Sequence, residues 1–353
     1  MTNVNMADYG FSGRYAAFAA EYGEKYAAGR VLSREKGVYR VISEAGEQLA
    51  EVSGRLRHNA ASASDFPAVG DFVMTDSGSG QGRAVIHAIL PRKSVFIRKA
   101  AGVRSEEQVV AANIDTVFIC MSLNNDFNIR RLERYLSAAW DSGAVPVIVL
   151  TKADLCPEPE RFIRDIGASA AGADIVLTSA LEPAGYEKLL PYIRPGETAA
   201  LTGSSGVGKS TLINRLLGEE RLDTNGLRND DRGRHTTTRR ELFLLRQGGM
   251  VIDTPGMREL GLWDVDEGLD RSFSDIEALA ASCRFRNCSH TGEPGCAVRE
   301  AVLKGGLSQE RLLSYQKLIS ERRYSENAEG YLAEKRQKFK KIAMINREYR
   351  GRK

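Results

Sequence analysis

The segment Gly203-Ser204-Ser205-Gly206-Val207-Gly208-Lys209-Ser210 constrains this chain more than any other, because it fits G-x-x-x-x-G-K-[ST] and has the right neighbours. The apolar run Thr198 to Leu201 precedes it. Ser210 to Leu217 follows, with Leu212, Ile213, Leu216 and Leu217 at helical spacing. A strand, a glycine-rich turn and a helix in that order make a phosphate cradle. Backbone N–H groups turn inward around a β-phosphate, and the helix N-terminus adds partial positive charge. Lys209 reaches the β and γ oxygens, and the Ser210 hydroxyl ligates Mg²⁺. The expected nucleotide contacts run from Gly203 to Thr211.

Around this unit, strand-like and helical patterns alternate from about Asp115 onward. Thr116 to Met121, Val145 to Leu150, Asp174 to Leu177, Leu242 to Leu245 and Met250 to Ile252 read as strands. Ile129 to Trp140 reads as a helix with Ile129, Leu132 and Leu136 on one face. Such alternation predicts a mostly parallel sheet covered by helices. Asp253-Thr254-Pro255-Gly256 ends one of its strands, where the Asp253 carboxylate is placed to hold a Mg²⁺-bound water and the Gly256 N–H to sense a γ-phosphate.

Thr151-Lys152-Ala153-Asp154 ends another strand and has the form of a base-reading turn. The Asp154 carboxylate would accept from guanine N1–H and its exocyclic amine, a donor pair adenine lacks, while the Lys152 stem packs along the base. Thr178-Ser179-Ala180, at the end of the next strand, has the form of an SA element, whose backbone would support guanine. Thr151 stands where Asn is commoner, so a weaker side-chain tether to the phosphate loop is expected. These elements imply GTP with Mg²⁺. They precede the phosphate loop, whereas ordinary GTPases run in the opposite order, so the chain is circularly permuted.

Arg221 to Arg240 carries few large apolar residues and reads as a switch loop. Within it Thr236, Thr237 and Thr238 are alternative Mg²⁺ ligands. Met257 stands where Ras-like enzymes place a water-orienting Gln, so hydrolysis needs another water-positioning group, for which His235 is the candidate, or a partner that supplies or arranges one; Lys209 is the other catalytic candidate.

Cys283-x4-Cys288-x-His290-x5-Cys296 supplies three thiolates and an imidazole, a closed set for one structural Zn²⁺. Cys120 and Cys156 read as packed free thiols. Between Gly29 and Leu90, short strand-like runs (Val38 to Ile42, Gln48 to Leu56, Phe72 to Thr75, Arg83 to Leu90) predict a small antiparallel barrel or sandwich, with Asn59 to Ser64 as a mobile loop.

The 353 residues are 42% hydrophobic and 27% charged, which argues against a largely disordered, collagen-like or coiled-coil chain. The longest apolar runs fall well short of the roughly 20 residues that span a bilayer. The first thirty residues have no apolar core of a secretory signal, so a cytoplasmic location without membrane attachment is expected. From Ala333 to Lys353 nine basic residues face two acidic ones, leaving the remainder slightly acidic. Such a tail suits a polyanion such as nucleic acid.

The order TKAD, SA, GSSGVGKS, GRHTTT, DTPG and then C-x4-C-x-H-x5-C, preceded by a small β-domain, resembles the ribosome small-subunit-dependent GTPase A family, RsgA. The resemblance implies an N-terminal OB-fold (1–105), a circularly permuted P-loop GTPase domain (106–268) and a helical zinc-binding domain ending in a basic helix (269–353). It further implies a monomeric factor in late maturation of the 30S subunit that binds its 16S rRNA, turns GTP into GDP and is stimulated by the subunit. Two other readings use the same residues: a P-loop ATPase or kinase, and a constitutive RNA-binding module with a static nucleotide.

Overall fold

The computed structural model describes residues 4–76, 82–99, 107–124, 127–167, 170, 172–179, 182–204, 206–222, 240–253 and 272–326. The chain forms two compact units, residues 1–261 and 262–353. Among the described residues no helix is long and apolar enough to cross a membrane.

The first unit opens with α1 (Gly13–Ala20) and a five-stranded barrel. Its strands are β1 (Tyr26–Glu35), β2 (Val38–Ser43), β3 (Gly46–Val52), β4 (Phe72–Asp76) and β5 (Ala84–Ile89). The order β1-β2-β3-β5-β4 closes on itself through β1–β4 pairing. Alternate residues Val31, Tyr39, Val41, Val73 and Ile86 fill the interior. Tyr15 of α1 packs with Phe72, Met74 and Leu90 in a separate cluster.

The barrel departs from the sequence expectation at Gln48 to Leu56. The strand stops at Val52 because the Ser53 hydroxyl accepts from the Leu56 N–H and caps α2 (Gly54–Asn59). Asn59 to Ser64 is also better organised than a mobile loop. The Asp65 carboxylate accepts from the N–H groups of Ala61 and Ser62, at 2.8 and 2.9 Å, and folds the segment into a short turn.

A two-stranded antiparallel ribbon, β6 (Val95–Lys99) and β7 (Glu107–Ala112), leads into the second half of the unit. There the strands are β8 (Thr116–Ser122), β9 (Val145–Thr151), β10 (Asp174–Leu177), β11 (Thr198–Thr202), β12 (Glu241–Leu244) and β13 (Met250–Asp253). Their order is β10-β9-β8-β11-β13-β12, parallel except for β12. β8 is buried throughout and shows why the sheet is covered on both sides. Val117, Ile119 and Met121 join the core that holds Leu132 and Leu136 of α3 (Ile129–Asp141) and Ile166 of α4 (Pro159–Ile166). Phe118 and Cys120 join the opposite core, with Leu212, Ile213, Leu216 and Leu217 of α6 (Lys209–Leu217). Between β10 and β11 runs the short α5 (Pro183–Glu187).

Barrel and sheet are continuous, because Ser33 of β1 pairs with Glu241 of β12. Arg30 pins the joint from within. It is fully buried, and its guanidinium donates to the carbonyl oxygens of Tyr9 (2.6 Å) and Gly70 (3.2 Å) and to Thr198 Oγ1 (2.8 Å), with the Phe72 ring 4.8 Å away. Burial lowers its pKa to about 10, against the opposing pull of Asp115, so the side chain stays charged and its donors stay engaged.

The second unit contains α7 (Ser274–Ala280), α8 (Ala297–Leu303) and α9 (Gln309–Glu326) around Phe273, Ile276, Val298, Leu312, Tyr315 and Leu318. The basic segment 333–353 lies outside the described residues.

Candidate nucleotide and metal sites

The nucleotide-site candidates gather at the carboxyl ends of four parallel strands, β9, β10, β11 and β13. This is the rim on which open α/β sheets bind ligands. After β11 the chain makes the phosphate turn. Gly203 has φ +141°, and a Cβ there would sit 2.3 Å from the Cys120 carbonyl oxygen, so only glycine lets the turn begin so close to β8. The Lys209 ammonium donates to the carbonyl oxygens of Gly203 (2.9 Å) and Ser204 (2.6 Å), holding its charge over the loop. Ser210 and Thr211 lie in the first turn of α6, and Val207 is buried beneath the loop.

Thr151 ends β9 and is buried. Its hydroxyl donates to the Val207 carbonyl oxygen at 2.7 Å, so the tether to the phosphate loop is made directly by threonine. Lys152 follows in the left-handed region with φ +59°, which turns the backbone sharply. Asp154 lies in a single 3₁₀ turn, Ala153–Leu155, and is open to solvent. The turn is bound to the next loop by the Ala153 N–H, which donates to the Thr178 carbonyl oxygen at 3.3 Å.

Ser179 is buried at the end of that loop. Thr178, the first residue of that element, and Gly185, which motif reading passed over, hold it there. The Thr178 hydroxyl donates to the Gly185 carbonyl oxygen at 2.7 Å, and Gly185 presses so closely that a Cβ would lie 2.1 Å from the Ser179 carbonyl oxygen. The one signal in the sequence is a glycine within a short helical segment, where glycine is otherwise unfavourable.

Asp253 closes β13 in register with Glu241 of β12. Its pKa is pushed up to about 6, chiefly by burial and further by Glu241, with the Lys209 cation opposing. Arg40 of the barrel reaches the same place, donating from Nε to Glu47 and from Nη1 to Glu241. Glu241 thus stands between the barrel and Asp253. Ala180, Ser205, His235, Thr236, Thr237, Thr238 and Gly256 lie outside the described residues.

In the second unit, Cys283, Cys288, His290 and Cys296 bring one ligand atom each within 4.8 Å of one another. His290 Nδ1 is 3.3 Å from Cys296 Sγ and 3.7 Å from Cys283 Sγ, and those two sulfurs are 3.9 Å apart. A tetrahedral ion with the usual Zn–S and Zn–N bonds separates sulfurs by about 3.8 Å and sulfur from nitrogen by about 3.5 Å. The donor set therefore fits. Burial keeps the His290 imidazole below its ordinary pKa, which favours the neutral form a metal requires. Burial raises the Cys283 thiol, but the backbone N–H groups of Val298 and Ala297 together with the Cys296 and Cys288 thiols outweigh it, while burial pushes the Cys288 thiol up to about 11. Gln316 of α9 donates to the His290 carbonyl oxygen at 2.8 Å, and Glu293 accepts from the N–H groups of Ser289, Thr291 and Gly292, fixing the loop between the ligands.

A family model described as RsgA GTPase matches residues 89–263. The small ribosomal subunit biogenesis GTPase RsgA 2 of Lactiplantibacillus plantarum is 50% identical over 323 residues, covering 91% of this chain and 90% of its own. The chain belongs to the RsgA GTPase family. An RsgA of Opitutus terrae is 46% identical over 325 residues, covering 89% of this chain and 88% of its own. Among solved structures, YjeQ from Thermotoga maritima aligns with a TM-score of 0.62 at 29% identity, over 84% of this chain and 98% of that one. YloQ, described as a circularly permuted GTPase, aligns at 0.60 with 26% identity, over 84% and 95%. The family likeness and the strand order agree: the Thr151–Asp154 turn and the Ser179 loop come first in the chain, and the Gly203–Ser210 turn follows.

Proposed function

We propose that this chain is a GTP-hydrolysing assembly factor of the small ribosomal subunit. The observation that carries the reading is the convergence of the Thr151–Asp154 turn, the Ser179 loop and the Gly203–Ser210 turn on one rim of the sheet. Asp154 reads guanine, Lys152 packs along the base, and Ser179 with Ala180 supports it from the backbone. Gly203 to Thr211 wraps the phosphates, and Lys209 moves from its loop carbonyls onto the β and γ oxygens. Ser210, Asp253 and one of Thr236, Thr237 and Thr238 hold Mg²⁺, which supplies charge neutralisation on the phosphates. Gly256 senses the γ-phosphate, and His235 orients the attacking water. In-line attack gives GDP and phosphate.

Cys283, Cys288, His290 and Cys296 hold one Zn²⁺, which supplies structure alone, since four protein ligands leave no open position. The partner is the 30S subunit through its 16S rRNA. The names of the relatives, small ribosomal subunit biogenesis GTPases, support this partner, and the basic tail suits it. The protein acts in the cytoplasm as a monomer, with residues 1–105, 106–268 and 269–353 as its functional divisions. Co-sedimentation with purified 30S subunits tests the switch: binding with a non-hydrolysable GTP analogue should exceed binding with GDP. Equal binding in both states would favour the constitutive RNA-binding module instead.

A further inference from the structure

Between Cys283 and Cys288 the chain reads Arg284-Phe285-Arg286-Asn287, and all four side chains face solvent. Phe285 is 40% exposed, while Phe273 of the same unit is fully buried in its core. The tip is stiff. Both of its ends are ligand candidates of the metal cluster, the Arg284 N–H donates to the Gly295 carbonyl oxygen at 3.0 Å, and the Cys288 N–H donates back to the Phe285 carbonyl oxygen at 3.3 Å. The Arg284 guanidinium lies 5.5 Å from the Phe285 ring centre, over one of its faces.

No acid occurs between the two cysteines, so the tip carries two positive charges beside an exposed ring. Carboxylates of the same unit have partners of their own: Asp275 pairs with Arg311, Glu277 accepts from the Tyr315 hydroxyl, and Glu293 accepts from its own loop. An exposed phenylalanine between two arginines costs solvation. Its chemistry suits an unpaired nucleobase, which stacks on an aromatic face while arginines meet the phosphates on either side.

We propose that Phe285 is a stacking platform for an unpaired base of RNA, with Arg284 and Arg286 holding the flanking phosphates. This rests on the reading of RNA as partner and adds a site and a mode of contact to it. The test uses the full-length, zinc-loaded chain and a short unstructured RNA oligonucleotide at fixed salt, followed by anisotropy. Phe285→Ala should weaken binding about tenfold without changing its salt dependence, whereas Arg286→Gln should lower the salt slope by about one.

Phe285→Trp should retain binding. Its extra emission, measured against the background of Trp140 and Trp263, should be quenched by RNA and left unquenched by polyphosphate. Zinc content equal to wild type shows that the loop is intact in each variant. Wild-type affinity in Phe285→Ala with zinc retained, or equal quenching of Phe285→Trp by polyphosphate, overturns the stacking contact alone. A wild-type chain that binds no RNA overturns the partner itself.

Discussion

The Thr151 hydroxyl donates to the carbonyl oxygen of Val207 at 2.7 Å, joining two loops that are 56 residues apart in the chain. In a permuted sheet this bond does what a covalent connection cannot: it fixes the Thr151–Asp154 turn, proposed to read the base, relative to the glycine-rich turn proposed to hold the phosphates, although the two come from different strands. Removing the hydroxyl while keeping the shape leaves a buried carbonyl oxygen without its donor, at about 1–3 kcal/mol. Thr151→Val should therefore lower GTP affinity about tenfold or more, and Thr151→Ser should recover most of it. Titration with a fluorescent GTP analogue reads both.

Gly185 makes an independent prediction about the neighbouring loop. A methyl group in Gly185→Ala would meet the Ser179 carbonyl oxygen at 2.1 Å, so the loop proposed to support the base must shift. GTP and GDP affinity should fall together, because the base and not the γ-phosphate is affected. Unchanged affinity for both would remove Gly185 from the site.

Asp253 predicts an acidic limb in turnover. Burial and, to a lesser degree, Glu241 together raise its pKa to about 6 against the pull of Lys209, so the carboxylate takes up a proton as pH falls through this value and, in the proposed role, would lose its hold on a metal-bound water. GTP turnover should decline below about pH 6. Glu241→Gln removes one of the groups that raises Asp253, so the midpoint should move to lower pH. A midpoint moving upward in that variant would contradict the assignment.

Zinc removal should affect the second unit and spare nucleotide binding. Cys283, Cys288 and Cys296 are part of the same cluster as Phe273, Val298 and Tyr315, so losing the metal loosens that core as well as the loop. Elemental analysis should find one zinc per chain. After chelation, limited proteolysis should cut within 272–326 while GTP affinity is kept.

Much of this was legible in the sequence, for physical reasons that differ by element. The phosphate turn was readable because strand, glycines, Lys209 and helix are contiguous, and the metal set because its four ligands fall within fourteen residues. The continuity of barrel and sheet was not, because it depends on a single cross-strand pair, Ser33 with Glu241, and on Arg30, whose acceptors come from residues 9, 70 and 198. Nothing local marks an arginine in a strand as buried. The β6–β7 ribbon was passed over as well, since no motif marks it. Gly185 acts through closeness to another backbone, which side-chain patterns do not record.

The most direct measurement is phosphate release from GTP and from ATP, with and without purified 30S subunits, at fixed Mg²⁺ and salt. The account predicts slow release from GTP, little from ATP, and a many-fold rise with subunits for GTP alone. Equal release from GTP and ATP would contradict base reading by Asp154, and GTP release indifferent to subunits would contradict the ribosomal partner.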